Sequence, residues 1–218
     1  MIYGILFAPS NKTSLHLAGL GHEDELQYVK ARLGLTTRAS ELNTMDGIWS
    51  ARVTSHIPLS EVANTIDEDN IVEAIAMTHR ELQRFGLARP RISVAALNPH
   101  AGDGGNFGRE EIDIIRPTVE KAAARQINVD GPSPSDTVFL KAKAGEIDAV
   151  VTMYHDQGQI ALKLMGFDRG VTVLGGLPVP IATPAHGTAF DIVGTGRADM
   201  GATNAAFDVA CRMALRHR

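Results

Sequence analysis

The sequence is short of the features that define several common classes of protein. It has one cysteine, Cys211, which excludes an internal disulfide and a cysteine-based metal site. Cys211 reads as a small core residue on a helix. No apolar run approaches the roughly 18 residues that a membrane-spanning helix needs. There is no basic block, and the formal net charge is -4, so the electrostatic footprint of a nucleic-acid binder is missing. The opening Met1-Ile2-Tyr3-Gly4-Ile5-Leu6-Phe7-Ala8-Pro9 lacks the basic flank and long apolar stretch of a secretory signal. It reads as a buried strand running into a loop. Internal repeats and low-complexity segments are absent. So are the Gly-x-Gly-x-x-Gly and Gly-Lys-Ser/Thr fingerprints of the common nucleotide folds. These absences point to a cytoplasmic globular protein that engages neither membrane nor nucleic acid.

The chain has 218 residues, 44% hydrophobic and 21% charged, enough for a sizeable core in one large domain or two small ones. Strand and helix signals alternate, as in an α/β fold. Strands are expected over 48–54, 91–97, 127–129, 149–153 and 171–174. Helices are expected after Ser60 and over 67–85, 110–125 and 203–215, with another from a Ser135 or Asp136 cap to about Ala144. In the 67–85 helix, Ile71, Ile75, Thr78 and Leu82 recur at helical spacing, and Gly86 stands where a glycine stop belongs. The Pro- and Gly-rich stretch 177–188 reads mostly as loop.

Reactive residues gather just beyond predicted strands. His56 follows 48–54, His100 follows 91–97 and His155 follows 149–153. In a parallel α/β sheet such ends converge on a ligand crevice. Three imidazoles there could hold a divalent ion with an open position, or could serve as hydrogen-bonded loop histidines. The 99–108 loop has the glycines to bring backbone N–H groups close to an anion, or to make a tight strand-to-helix turn. A third cluster, 186–196, has small residues that would let a ring or ribose lie against the backbone, with Asp191 able to accept from ribose hydroxyls. His16, His79 and His217 read as solvated surface residues. Glu23-Asp24-Glu25 reads as the acidic first turn of a helix.

Three motifs together resemble the 4-hydroxythreonine-4-phosphate dehydrogenase family of the PdxA type. They are Asn98-Pro99-His100-Ala101-Gly102-Asp103-Gly104-Gly105, Tyr154-His155-Asp156-Gln157-Gly158 and His186-Gly187-Thr188-Ala189. Thr54-Ser55-His56-Ile57-Pro58-Leu59 resembles that family's first histidine motif. The likeness runs from Ala8-Pro9-Ser10-Asn11-Lys12 to the last helix and covers the C-terminal two-thirds of the family's pattern. It implies a two-domain α/β fold like the isocitrate and isopropylmalate dehydrogenases, with the N-terminal part of one domain missing. Residues 13–190 would form the metal- and substrate-binding domain, and 1–12 with 191–218 the remnant of the second. It also implies a homodimer whose active sites draw residues from both subunits.

The same resemblance makes His56, His100 and His155 the metal ligands, for zinc or alternatively magnesium or cobalt. It makes His22 and Lys163 substrate-binding residues, and His186, Gly187, Thr188, Ala189 and Asp191 the residues that hold NAD. The implied activity is NAD-dependent oxidation with decarboxylation of 4-hydroxythreonine 4-phosphate, a step of pyridoxine biosynthesis, with Lys12, Asp156 or Lys163 moving protons. The chain departs from the family at three substrate positions. Thr172 stands where the family has Asn, Ile181 where it has Arg, and Glu23 where it has Thr. Losing an Arg removes a bidentate partner for phosphate or carboxylate, and Glu23 would repel a phosphate. These departures point to a paralogue for a four-carbon sugar acid phosphate or a cyclic diol carboxylate, or to a catalytically incomplete metal-binding fragment.

Overall fold

The strand-forming segments pair into one mixed sheet. The computed structural model describes residues 2–216, so His217 lies outside the described residues. Among these, eight strands run in chain order: β1 (Ile5–Leu6), β2 (Ser40–Met45), β3 (Ile48–Arg52), β4 (Ile92–Ala95), β5 (Val129–Ser133), β6 (Ala149–Thr152), β7 (Val171–Gly175) and β8 (Ile181–Pro184). Their spatial order is β1-β8-β7-β2-β3-β6-β4-β5. From β3 through β6 and β4 to β5 all neighbours are parallel, whereas β2 is antiparallel to both β3 and β7, and β7 to β8. The helices are α1 (Lys12–Leu17), α2 (Glu25–Arg32), α3 (Leu59–Thr65), α4 (Glu68–Phe85), α5 (Arg116–Ala124), α6 (Val138–Lys143), α7 (His155–Gly166) and α8 (Gly201–Leu215).

Strand β6, inside the parallel part of the sheet, is buried along its whole length, because both of its faces are covered. On β6, Ala149 and Val151 pack with α4, α5 and α8 residues, whereas Val150 packs with Val138, Phe139 and Leu162 of α6 and α7. The alternation follows from the period-two geometry of a strand. Helix α4 forms where its sequence demands. Asp67 accepts a hydrogen bond from the Asn70 N–H at 2.7 Å, and Gly86 ends the helix in the left-handed conformation with φ 116°. Its Ile71, Ile75, Met77 and Leu82 are fully buried, each contributing on the order of 1.5–3 kcal/mol relative to an exposed side chain.

Several expectations are corrected. The N-terminal strand is two residues long, and Ile5 and Leu6 are each 37% exposed, because β1 lies at the sheet's edge. The stretch expected to be loop contains β8, paired antiparallel to β7 through Val171–Pro184, Thr172–Thr183 and Val173–Ala182. Strand β5 starts where 127–129 was expected to end. The helix expected over 110–125 begins as a π-helical turn, Glu111–Ile115, before α5. Helix α6 starts at Val138 with no side-chain cap from its Thr137 boundary, and α3 starts at Leu59, after Pro58. His79 is half-buried, and its Nδ1 is buried with no hydrogen-bond partner. Burial, with Arg80 nearby, pushes its pKa below the ordinary histidine value. At the two ends of the described residues, β1 pairs with β8, and α8 packs on β7, β8 and α4. Cys211 sits half-buried on α8.

Candidate functional site

Strands β3, β6 and β4 are neighbours and parallel, so their C-terminal ends lie on one side of the sheet. His56, His155 and His100 follow those ends. The chain brings two of them together. The His56 and His155 rings lie 5.8 Å apart, centroid to centroid. Both line a cavity of about 310 Å³ with Ser55, Ile57 and Tyr154. Each ring has its Nδ1 turned to a carboxylate. His155 Nδ1 is 2.7 Å from Asp156 Oδ1, and His56 Nδ1 is 3.6 Å from Glu23 Oε1. A carboxylate on one ring nitrogen leaves the other, Nε2, to ligate a metal, which is the usual arrangement around zinc. Two such imidazoles with a further ligand would suit a divalent ion. His100 is held elsewhere, its ring against Phe107 at 6.2 Å. The three histidines do not form a set within 4.8 Å; among the described residues the group that does is Glu23, Asp24 and His56.

The motif after β6 has a structural reason at His155, Gln157 and Gly158. His155 opens α7. Gln157 accepts from the Met153 N–H at 2.9 Å and donates to the Ala96 carbonyl at 2.9 Å, tying the end of β6 to the end of β4. A Cβ on Gly158 would run into Ser50 Oγ, so glycine lets α7 lie close on β3.

The loop after β4 is not irregular. Pro99–Gly105 is a helical turn of left-handed sense, with φ of 53° at His100, 53° at Ala101, 78° at Gly102, 43° at Asp103 and 65° at Gly104. Glycine tolerates this, but His100, Ala101 and Asp103 each carry a Cβ, at about 1–2 kcal/mol per residue. Glu111 is 0% exposed beneath the turn. Its Oε1 accepts from the Leu97 and Asn98 N–H groups at 2.9 and 2.7 Å, and its Oε2 from Asn98 Nδ2 at 3.0 Å.

Beside the two histidines lies a polar cleft of about 340 Å³, lined by Glu41, Asn43, His155, Gln159, Lys163 and Thr172 among others. A buried network forms its floor. Arg52, 4% exposed, donates to Glu41 at 2.5 Å, to Asn43 Oδ1 at 3.1 Å and to Ser55 at 3.0 Å. Asn43 also accepts from Gln159 at 2.7 Å and donates to Thr172 Oγ1 at 2.9 Å. Thr172 thus spends an acceptor site on Asn43 and keeps its O–H proton for the cleft. Sequence reasoning missed Glu41, Asn43, Arg52 and Gln159. Polar residues inside a strand flanked by apolar ones were the available signal, since a buried Arg needs partners.

The other expected residues are placed as follows. Lys163 stands on α7 at the cleft, and Asp156 is largely exposed beside His155. His22 makes an edge contact with Tyr28 at 5.8 Å, and Glu23 lines the adjoining cavity with His56 and Glu41. Ile181 is 3% exposed in an apolar cluster with Leu26, Leu174 and Leu177, and it does not line the cleft. Lys12, on the first turn of α1, is exposed and does not line it either. His186, Gly187, Thr188 and Ala189 line a groove of about 960 Å³ with Phe190 and Val193, whereas Asp191 does not. The groove meets the polar cleft at His186 and Gly187. Small and apolar residues make up most of its lining, and its volume is that of a small-molecule site.

Comparison with known proteins places these features in context. The family described as Pyridoxal phosphate biosynthetic protein PdxA matches residues 1–210. A Pseudomonas aeruginosa protein, provisionally named 4-hydroxythreonine-4-phosphate dehydrogenase 2, is 61% identical over 98% of this chain and 64% of its own. The crystal structure of 4-hydroxythreonine-4-phosphate dehydrogenase from Klebsiella pneumoniae superposes with a TM-score of 0.82 at 38% identity, over 96% of this chain and 65% of that one. A terephthalate 1,2-cis-dihydrodiol dehydrogenase from Burkholderia xenovorans gives 0.76 at 28% identity, over 96% and 66%. Isocitrate dehydrogenase from Methylococcus capsulatus, at 16% identity and a TM-score of 0.56 over 96% of this chain and 66% of that one, shares the α/β fold alone. The chain spans 64%, 62% and 63% of the first curated relatives it matches.

Proposed function

The chain belongs to the PdxA family, and from that premise we propose that it carries the metal- and substrate-binding part of an NAD-dependent dehydrogenase for a small hydroxy acid. The observation that carries this reading is the pair His56 and His155, side by side at the ends of β3 and β6 with a carboxylate on each Nδ1. His100, apart from them within the chain, reaches the site from a second copy, which makes the enzyme a homodimer with shared sites.

A bound divalent ion, zinc foremost with magnesium or cobalt as alternatives, supplies a Lewis acid for the substrate hydroxyl, and NAD in the groove at 186–189 supplies the hydride acceptor. The chain's own residues do the rest. Lys163 binds a carboxylate at the cleft wall. Thr172 donates through its O–H and Gln159 accepts through its carbonyl oxygen, so hydroxyl groups are oriented from two sides. Asp156 holds His155 in one tautomer, and Lys163 is placed to move a proton. Decarboxylation of the oxidised acid follows in this reading, with the cytoplasm as the site of action.

A second reading concerns the substrate. Glu23 sets an exposed carboxylate in the cavity adjoining the cleft, where it would repel a phosphate, whereas Glu41 is paired with Arg52. This favours an acid without phosphate, such as a cyclic diol carboxylate, over 4-hydroxythreonine 4-phosphate or a four-carbon sugar acid phosphate. The test is NADH formation with phosphorylated and unphosphorylated hydroxy acids in added zinc, beside a His100→Ala control. Turnover with one class, lost in the control, is expected. No turnover with any acid would replace the enzyme by a metal-binding fragment.

A further inference from the structure

We propose that Glu111 is the positioning residue for His100: its buried side chain locks the left-handed turn that aims the imidazole. The proposal rests on the reading of His100 as a metal ligand and extends it to a residue that touches neither metal nor substrate.

Four observations converge. Glu111 is fully buried, and all its hydrogen bonds go to the residues that enter the turn, the Leu97 and Asn98 N–H groups and the Asn98 side chain. The turn is built to close on it. A Cβ on Gly102 would sit 2.7 Å from Glu111 Oε2, so glycine at the turn's centre lets the backbone rest on the carboxylate. The far end is held by the same group of residues, since Asn98 Nδ2 also donates to Glu110 Oε2 at 2.7 Å and a Cβ on Gly108 would collide with both. Finally, Glu111 opens the π-helical turn, Glu111–Ile115, and an inserted residue of this kind re-aims side chains relative to a regular helix. A run of positive φ at residues with a Cβ persists only where its surroundings over-determine it. Glu111 is the buried polar group that does so here.

Glu111→Gln is the sharpest probe. The amide oxygen can still accept from Leu97 and Asn98, but its NH2 now faces the Asn98 NH2, donor against donor. Zinc affinity of the full chain, measured by calorimetry after chelator treatment, is expected to fall about tenfold or more. The thermal midpoint reports folding in parallel. Gly102→Ala attacks the same contact from the turn side and should act alike; it also stands in if Glu111→Gln does not fold. His100→Ala and the double variant close the cycle. If Glu111 acts through His100, adding Glu111→Gln to His100→Ala costs no further affinity. With cobalt in place of zinc, both single variants should change the visible absorption bands. Unchanged zinc affinity in His100→Ala would sink the ligand reading itself. Lost affinity there, with wild-type affinity and cobalt bands in folded Glu111→Gln and Gly102→Ala, would leave that reading standing and overturn the role of Glu111. Strictly additive losses would also overturn it.

Discussion

Two neighbouring strands of one sheet present their histidines by opposite means. At the end of β6 the chain passes directly into α7, and His155 is placed by strand register, by Gln157 and by the close approach at Gly158. At the end of β4 the chain enters a left-handed turn, and His100 is placed by backbone strain held against Glu111. The first arrangement draws on the core, so its precision comes with stability. The second stores energy and depends on a few polar contacts. The comparison separates what keeps the protein folded from what aims one ligand, and the two should fail independently.

The largest effect should come from the core under His155. Met153 is fully buried in the main cluster between Val151 and the histidine. Met153→Ala is expected to lower unfolding free energy by about 2–5 kcal/mol, read from urea denaturation. Zinc affinity of the folded protein should change little, because Gln157 bonds the backbone of residue 153 and not its side chain. A large affinity loss at modest destabilisation would erase the distinction drawn above.

Gly108→Ala should give the opposite pattern. Gly108 has φ 129°, and a Cβ there would lie 2.5 Å from Asn98 Nδ2 and 2.6 Å from Glu110 Oε2. Strain of this kind costs about 1–3 kcal/mol. Its stability loss should be smaller than that of Met153→Ala, and its loss of zinc affinity larger. The crossed pair of measurements decides whether scaffold and aim are separable.

The same contrast explains what could be read in the sequence. Helix α4 was legible to its ends because Asp67 and Gly86 announce them and its apolar spacing is unbroken. The strand end carrying His155 was legible because β6 is a continuous apolar run, and the one carrying His56 because Ile48, Trp49 and Ala51 outweigh the polar residues beside them. Strand β2 was not, since Ser40-Glu41-Leu42-Asn43-Thr44-Met45 looks polar. Its burial makes sense only once Arg52, Gln159 and Thr172 stand beside it to satisfy Asn43 and Glu41. The turn at His100 was half-legible. Its glycines announced a sharp bend, but its hand depends on Glu111, six residues past Gly105, through contacts that no local pattern records. Ile181 was assigned by position in a motif, yet the structure buries it in an apolar cluster, so resemblance located the residue without locating its side chain.

The smallest effect lies at the opposite ends of the same strands. Arg91 precedes β4 and Asp148 precedes β6. Asp148 Oδ2 accepts from the Arg91 N–H at 2.8 Å and from Nε at 3.1 Å, and Oδ1 accepts from Nη2 at 2.7 Å. Partial burial pushes the Asp148 pKa up, but the Arg91 hydrogen bonds and charge outweigh it and leave the carboxyl below its ordinary value. A depressed carboxyl contributes stability that is fully present above its unfolded pKa, about 3.9, and is lost as pH falls through the lower folded value. Asp148→Asn should therefore be less stable than the parent at neutral pH, and the gap should close below about pH 4. Arg91 is 46% exposed, so solvent and salt screen the pair and the gap should be slight. Because the clamp sets the register of β4 against β6 rather than the aim of either histidine, zinc affinity at neutral pH should be unchanged. A gap that widens in acid would reverse the sign assigned to Asp148, and a shift in zinc affinity would show that the aim of His100 reaches through the whole strand rather than stopping at Glu111.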